Sequence, residues 1–130
     1  MPDATDLSQT RIGQISITVH DLDRAVAFYS QTLGLKHLFT VSKLGFFDCG
    51  GIRLMLAVPE SPEFDHPSSV LYFSVDDIQA VFTSLSERGV RFERPPHLIA
   101  KMDSYDLWMA SFRDSENNLL SLMSNVARSQ

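Results

Sequence analysis

An internal repeat most narrows what this chain can fold into. Residues 12–19 (IGQISITV) alternate apolar and small polar side chains and are rich in β-branched residues, the pattern of a half-buried strand. A helix follows at once. From Asp21 to Leu33, Leu22, Val26, Tyr29 and Leu33 recur at helical spacing, Asp21 is placed to cap the first turn, and Gly34 supplies a stop. The succession returns 56 residues later, measured from Asp21 to Asp77. There VLYFSV (70–75) alternates as a strand, and Asp77 opens a helix that turns Ile78, Val81, Phe82 and Leu85 inward and ends at Gly89.

Three further strand patterns follow each helix in the same order. They are LKHLFTV (35–41), KLGFFDCG (43–50) and IRLMLAV (52–58) in the first half, and VRFERPP (90–96), LWMASFRD (107–114) and NLLSLMS (118–124) in the second. Gly50-Gly51 and Glu116-Asn117-Asn118 have the turn chemistry to join the last two strands of each half. Each half is therefore βαβββ, and the expected fold is α+β: two βαβββ modules forming a curved mixed sheet with helices outside and a cleft between the halves. At about 60 residues a half is too small for a core of its own. The expected organisation is one domain over residues 11–125, built of repeats 11–58 and 70–125. PESPEFDHPSS (59–69) is the exposed connector, and residues 1–10 are expected to be disordered.

Composition removes several function classes. The chain has 130 residues, is 44% hydrophobic and 21% charged, and carries a net charge of -5. Eleven scattered Lys and Arg do not make the clustered basic surface that a phosphate backbone requires, so nucleic acid is not an expected partner. No apolar run approaches the roughly 18 residues of a membrane helix, and MPDATDLSQT lacks the basic and apolar regions of a signal peptide, so the expectation is a cytoplasmic protein with no membrane partner. The single Cys49 forbids an internal disulfide and a thiolate metal cluster within one chain, and reads as a small apolar strand residue.

ITVHDLDRAVAFYSQTLGL (17–35), its echo FSVDDIQAVFTSLSERGV (73–90), FFDCGGIRLML (46–56) and FRDSENNLLSL (112–122) resemble, in this order, the vicinal oxygen chelate superfamily of glyoxalases, bleomycin-resistance proteins and dioxygenases. In metal-using members, as the resemblance implies, each repeat supplies one ligand early in its first strand and one in its last. The first-strand place, seven residues before the helix-opening aspartate, falls on Gln14 and Val70, and the last-strand places fall on Met55 and Ser121. None is His, Asp or Glu. Gln14 offers an amide oxygen, Ser121 a weak neutral hydroxyl, Met55 a soft thioether and Val70 nothing, whereas a divalent cation here wants imidazole and carboxylate. The expectation is that the usual metal site is absent and that no cofactor is used.

Candidate ligand-binding chemistry lies around those places. Arg53 shares a strand face with Met55 and is suited to a carboxylate or phosphate. Tyr72 shares a face with Val70, and one of Phe46 and Phe47, with Phe47 preferred, must face inward. His20, His37 and His66 read as surface residues. His97 opens the segment HLIAKMDSYDL, read as a long connection folding over the cleft mouth and bringing Met102, Tyr105 and Trp108 onto a ligand. Trp108 reads equally well as a core residue, and His97 as an exposed one. A pair of His97 with Asp103 or Asp106 is a candidate for proton transfer or for a displaced metal site. No nucleophile elbow, phosphate loop or dinucleotide fingerprint occurs.

The site expected from these residues is an aromatic-lined cleft with Gln14, Phe47, Arg53, Met55, Tyr72, His97, Tyr105, Trp108 and Ser121 around a small organic molecule. Three functions fit it. One is a metal-independent binding protein, the preferred reading; another is a lyase, isomerase or dioxygenase with displaced metal ligands; the third is a non-catalytic accessory module. Exposed sheet edges favour a homodimer in all three. Net acidity favours a neutral or cationic ligand, but Arg53 pulls the other way, and a local charge outweighs a screened global one.

Overall fold

The computed structural model describes residues 5–128. Part of the N-terminal segment expected to be disordered, residues 1–4, lies outside the described residues; residues 5–10 are exposed, with the Ser8 backbone N–H donating to Asp6 Oδ1 at 2.9 Å. The first module runs β1 (Gln14–Thr18), α1 (Leu22–Ala27), a π-helical turn (Phe28–Thr32), β2 (Lys36–Val41), β3 (Leu44–Cys49) and β4 (Ile52–Ala57). A 3-10 turn at Pro62–Phe64 interrupts the connector, and the second module runs β5 (Leu71–Ser74), α2 (Ile78–Glu87), β6 (Phe92–Lys101), β7 (Tyr105–Arg113) and β8 (Leu119–Ala127).

Both modules are βαβββ, and each closes a four-stranded mixed sheet, in the orders β1-β4-β3-β2 and β5-β8-β7-β6. In each the first strand pairs parallel with the last and the remaining pairs are antiparallel. Asp21 and Asp77 cap their helices as the sequence predicts, accepting from Arg24 N and Ala80 N, each at 3.0 Å. The Gly50-Gly51 turn has both φ angles positive, at 60° and 90°, which L side chains adopt only with strain, and Asn117 takes φ 69° in the matching turn of the second module.

One strand expectation needs correction. The segment from His97 to Leu107 is not a long loop: His97–Lys101 continue β6, Tyr105 and Asp106 begin β7, and only Met102–Ser104 turn between them. Pro95-Pro96 do not end the strand because β6 is the outer strand of its sheet, with register shifts between Arg94 and His97 and a neighbour, β7, on one side only, so that not every N–H is needed.

Residues from the helical segments and the sheet faces they cover form one core: Ile17, Tyr29, Phe47, Leu54 and Leu56 from the first module join Ile78, Leu85, Ala110, Phe112 and Leu122 from the second. The joint between modules is polar as well. Glu116, in the β7–β8 turn, accepts from His20 N at 3.0 Å and Asp21 N at 2.9 Å at the start of α1, and from Arg24 Nε at 2.7 Å. It thus satisfies donors that a helix start leaves open and places a negative charge at the favourable end of the dipole. Asn118 Nδ2 donates to Thr18 O at 2.9 Å, and Arg88 Nη1 to Thr32 O at 3.1 Å. Among the described residues no helix is long and apolar enough to cross a membrane.

Candidate functional site

Strand alternation sends Leu54 and Leu56 to the core and leaves Arg53, Met55 and Ala57 on the helix-free face of the first sheet. Pairing aligns that face into three rows: Gln14–Arg53–Asp48, Ser16–Met55–Phe46–Phe39, and Thr18–Ala57–Leu44–Val41. Gln14 Nε2 points at Met55 Sδ, 3.7 Å away, so the first-strand and last-strand places of the first module do come together. Arg53 carries its guanidinium over two rings, 5.3 Å from the Phe46 centroid and 5.7 Å from that of Phe39, which are themselves 4.7 Å apart. These cation–π contacts hold the planar fork at the surface. Among the described residues no carboxylate is within ion-pair distance of it. Gln14, Asp48, Arg53 and Leu38 line a shallow cavity of about 380 Å³.

Of the two successive phenylalanines, the inward choice is corrected. Phe47 lies opposite Leu54, is fully buried and packs 6.0 Å from Tyr29, whereas Phe46 lies opposite Met55 on the helix-free face, where Phe39 and Arg53 cover it and leave it buried. Two adjacent aromatics must point opposite ways, but only the register tells which way each points.

In the second sheet the corresponding row is Tyr72–Ser121–Ser111–Arg94. Ser121 holds the place that Met55 holds in the first, and its buried hydroxyl is committed to the backbone, with Ala110 O at 3.0 Å and Leu122 O at 2.9 Å. Val70 sits just before β5 and lines, with Tyr72, Ile15 and Ile52, a cavity of about 270 Å³ separate from that of Gln14 and Arg53. Arg94, in the row of Ser121, was not singled out by sequence, since nothing in RFERPP marks its face without the register.

His97 pairs with Met109 in register and its Nδ1 contacts Pro95 O at 2.8 Å. Asp106 lies three residues along β7 from Met109 and so on the opposite face, where Arg128 takes its carboxylate, while Arg128 also donates to Asp103 O at 2.7 Å. The structure thus builds no His97–Asp106 pair. Trp108, on the same face as Asp106, packs against the core, and Tyr105 and Met102 flank the β6–β7 turn, with the Met102 N–H donating to Tyr105 O at 2.8 Å. Burial, and after it the Asp48 carboxylate, pushes the Cys49 thiol up, so it remains protonated and poorly nucleophilic.

The connector lies at 59–69 and is mostly exposed, as expected, but its contacts with the first module were not foreseen from sequence. It is not a free strap: Ser68 Oγ accepts from Thr18 N at 2.8 Å and Asp65 Oδ1 lies 2.8 Å from His20 Nε2. It folds back along the third row of the first sheet and borders an open cleft of about 540 Å³, lined by Ser16 and Thr18 of β1 and by Phe64 and His66 of the connector.

For a metal, the donor set at the four places is an amide, a thioether, a hydroxyl already bonded to carbonyls and a valine. That set does not suit a hard or borderline divalent cation. Among the described residues no three of His, Cys, Asp and Glu gather as a ligand group elsewhere.

Paired βαβββ modules, each with a first strand parallel to its last and a helix-free face bearing the Gln14–Met55 and Val70–Ser121 places, define a glyoxalase-like α+β protein. The sequence profile of the Glyoxalase/Bleomycin resistance protein/Dioxygenase superfamily matches residues 11–122, and the chain belongs to that superfamily. It is 28% identical over 123 residues to the uncharacterized protein YraH of Bacillus subtilis (strain 168), covering 84% of this chain and 94% of YraH. Its fold is similar to that of a lactoylglutathione lyase from Agrobacterium tumefaciens, with TM-score 0.74 and 21% identity over 90% of this chain and 95% of that one. It is also similar to a superfamily member from Sphaerobacter thermophilus DSM 20745, with TM-score 0.74 and 22% identity over 88% of this chain and 97% of that one. At these identities the structural likenesses establish the fold.

Proposed function

We propose that this protein is a metal-independent member of its superfamily that binds a small organic molecule on the helix-free face of the first module. The single observation that carries this reading is the Gln14–Met55 contact of 3.7 Å. The place that would hold a ligand pair is filled by an amide resting on a thioether, chemistry suited to packing against an organic molecule rather than to holding a cation. The Arg53 fork beside Phe39, whose ring is 41% exposed, supports a ligand with a flat apolar body and one acidic group, since a guanidinium takes a carboxylate in a bidentate contact while that ring takes the body. Phe39, Val41 and Tyr72, each at least 41% exposed on helix-free faces, support a second copy of the chain as the molecule that covers the site. The lone Cys49 fits a reducing compartment, and a cytoplasmic location is part of the proposal.

The test is isothermal titration with benzoate, salicylate and indole-3-acetate, each with EDTA and with added zinc, nickel or manganese. Binding of at least one acid, indifferent to chelation and weakened roughly tenfold or more in Arg53→Ala, is the expected result. Affinity or turnover that appears only with metal would return the protein to the enzymes of the superfamily.

A further inference from the structure

The cavity beside the connector is separate from the one that Arg53 lines. We propose that it binds an uncharged, polyhydroxylated molecule of sugar size. Its volume of about 540 Å³ is in the range of small-molecule pockets. Five of the residues that line it carry hydroxyls: Ser16 and Thr18 on β1, Ser42 in the β2–β3 turn, and Ser68 and Ser69 on the connector. A hydroxyl both donates and accepts, so a set of them matches a ligand whose own groups do both, as a sugar's do. Ser68 accepts the Thr18 N–H, which leaves the Ser68 hydrogen to donate.

The charges in the cavity point the same way. Lys43 and Glu60 both line it, and among the described residues neither takes part in an ion pair. One of each sign favours neither an anion nor a cation. Phe64, 55% exposed at the end of the 3-10 turn, presents a ring of the kind that packs on the apolar C–H face of a sugar. Ser42 holds φ 52°, as the first residue of the two-residue hairpin turn between Val41 and Leu44 requires, at the rim of this cavity.

The experiment is a titration of nitrogen-15-labelled full-length protein with methyl α-glucoside, methyl β-galactoside and maltose, followed by amide shifts. A hexose phosphate and a hexosamine serve as charged counterparts. At least one neutral sugar should shift the amides of Thr18, Ser42 and Ser68 saturably and leave that of Arg53 unmoved, which separates this site from the one proposed above. Ser42→Gly, which relieves the positive φ, should keep or raise Tm and weaken the sugar about fivefold, as should Phe64→Ala at an exposed position. Shifts produced by none of the sugars, shifts produced only by the charged ones, or unchanged affinity in both variants would overturn the proposal.

Discussion

The Tyr29 hydroxyl donates a 2.6 Å hydrogen bond to Asp114 Oδ2 across 85 residues of sequence, joining the helix of the first module to the last turn of the second. Asp114 is fully used. Its Oδ1 accepts the backbone N–H groups of Glu116 and Asn118, each at 2.8 Å, and its Oδ2 also accepts Asn118 Nδ2 at 2.9 Å. Burial and the adjacent carboxylate push the Tyr29 phenol far above its ordinary value, so it stays a donor at any working pH.

Replacing Tyr29 by Phe keeps the ring but removes one of the carboxylate's partners inside the protein. A hydrogen bond to a charged group contributes about 2 kcal/mol, so Tm should fall by roughly 6–8 °C, read by calorimetry. An unchanged Tm would mean that the turn, not the bond, joins the modules.

Glu116 makes the same joint sensitive to acid. Burial alone would push its carboxyl up, but hydrogen bonds from Arg24, from the Asp21 and His20 N–H groups and from Ser115 outweigh it and hold the value at about 2, against an ordinary 4.5. A depressed folded value contributes stability that is present above the ordinary value and lost as pH falls from 4.5 towards 2. Urea midpoints measured across that window should drop for the parent chain and drop less steeply for Glu116→Gln, which starts lower at neutral pH. Parallel curves would remove Glu116 from the account.

At Gly45 the side chains of α1 press close on β3. A Cβ there would stand 2.9 Å from Val26 Cγ2 and 3.5 Å from Leu22 Cδ1. Gly45→Ala should therefore destabilise by about 1–3 kcal/mol through overpacking, measured by denaturant unfolding. A stabilised variant would show that the helix moves freely on β3.

Trp108 separates core from ligand chemistry. Because it packs against the core from the second sheet, whereas Arg53 lies on the helix-free face of the first, Trp108→Ala should cost about 2 kcal/mol of stability and leave the affinity for an aromatic acid unchanged. A loss of affinity with an unchanged Tm would move the site to the second module.

Trp108 is one of several positions that separate what sequence conveys from what it does not. The repeat, both helix caps, the turns at Gly50-Gly51 and Asn117 and the face shared by Arg53 and Met55 were legible, because each rests on local periodicity or on one residue's backbone preference. Phe46 against Phe47, and Trp108 as ligand contact against core, depend on strand register, which alternation alone leaves free by one residue. The course of β6 through Pro95-Pro96 depended on its being an outer strand, a property of the sheet rather than of the segment. The connector, with no periodicity at all, revealed its place over Thr18 only through the long-range bond to Ser68.

The most direct measurement is metal content. Protein purified without chelator or a metal column would be dialysed against excess zinc, nickel and manganese, then desalted, and examined by elemental analysis together with native mass spectrometry. The donor chemistry of Gln14, Met55, Val70 and Ser121 predicts far less than one metal per chain. Close to one transition metal per chain, retained through desalting, would contradict it.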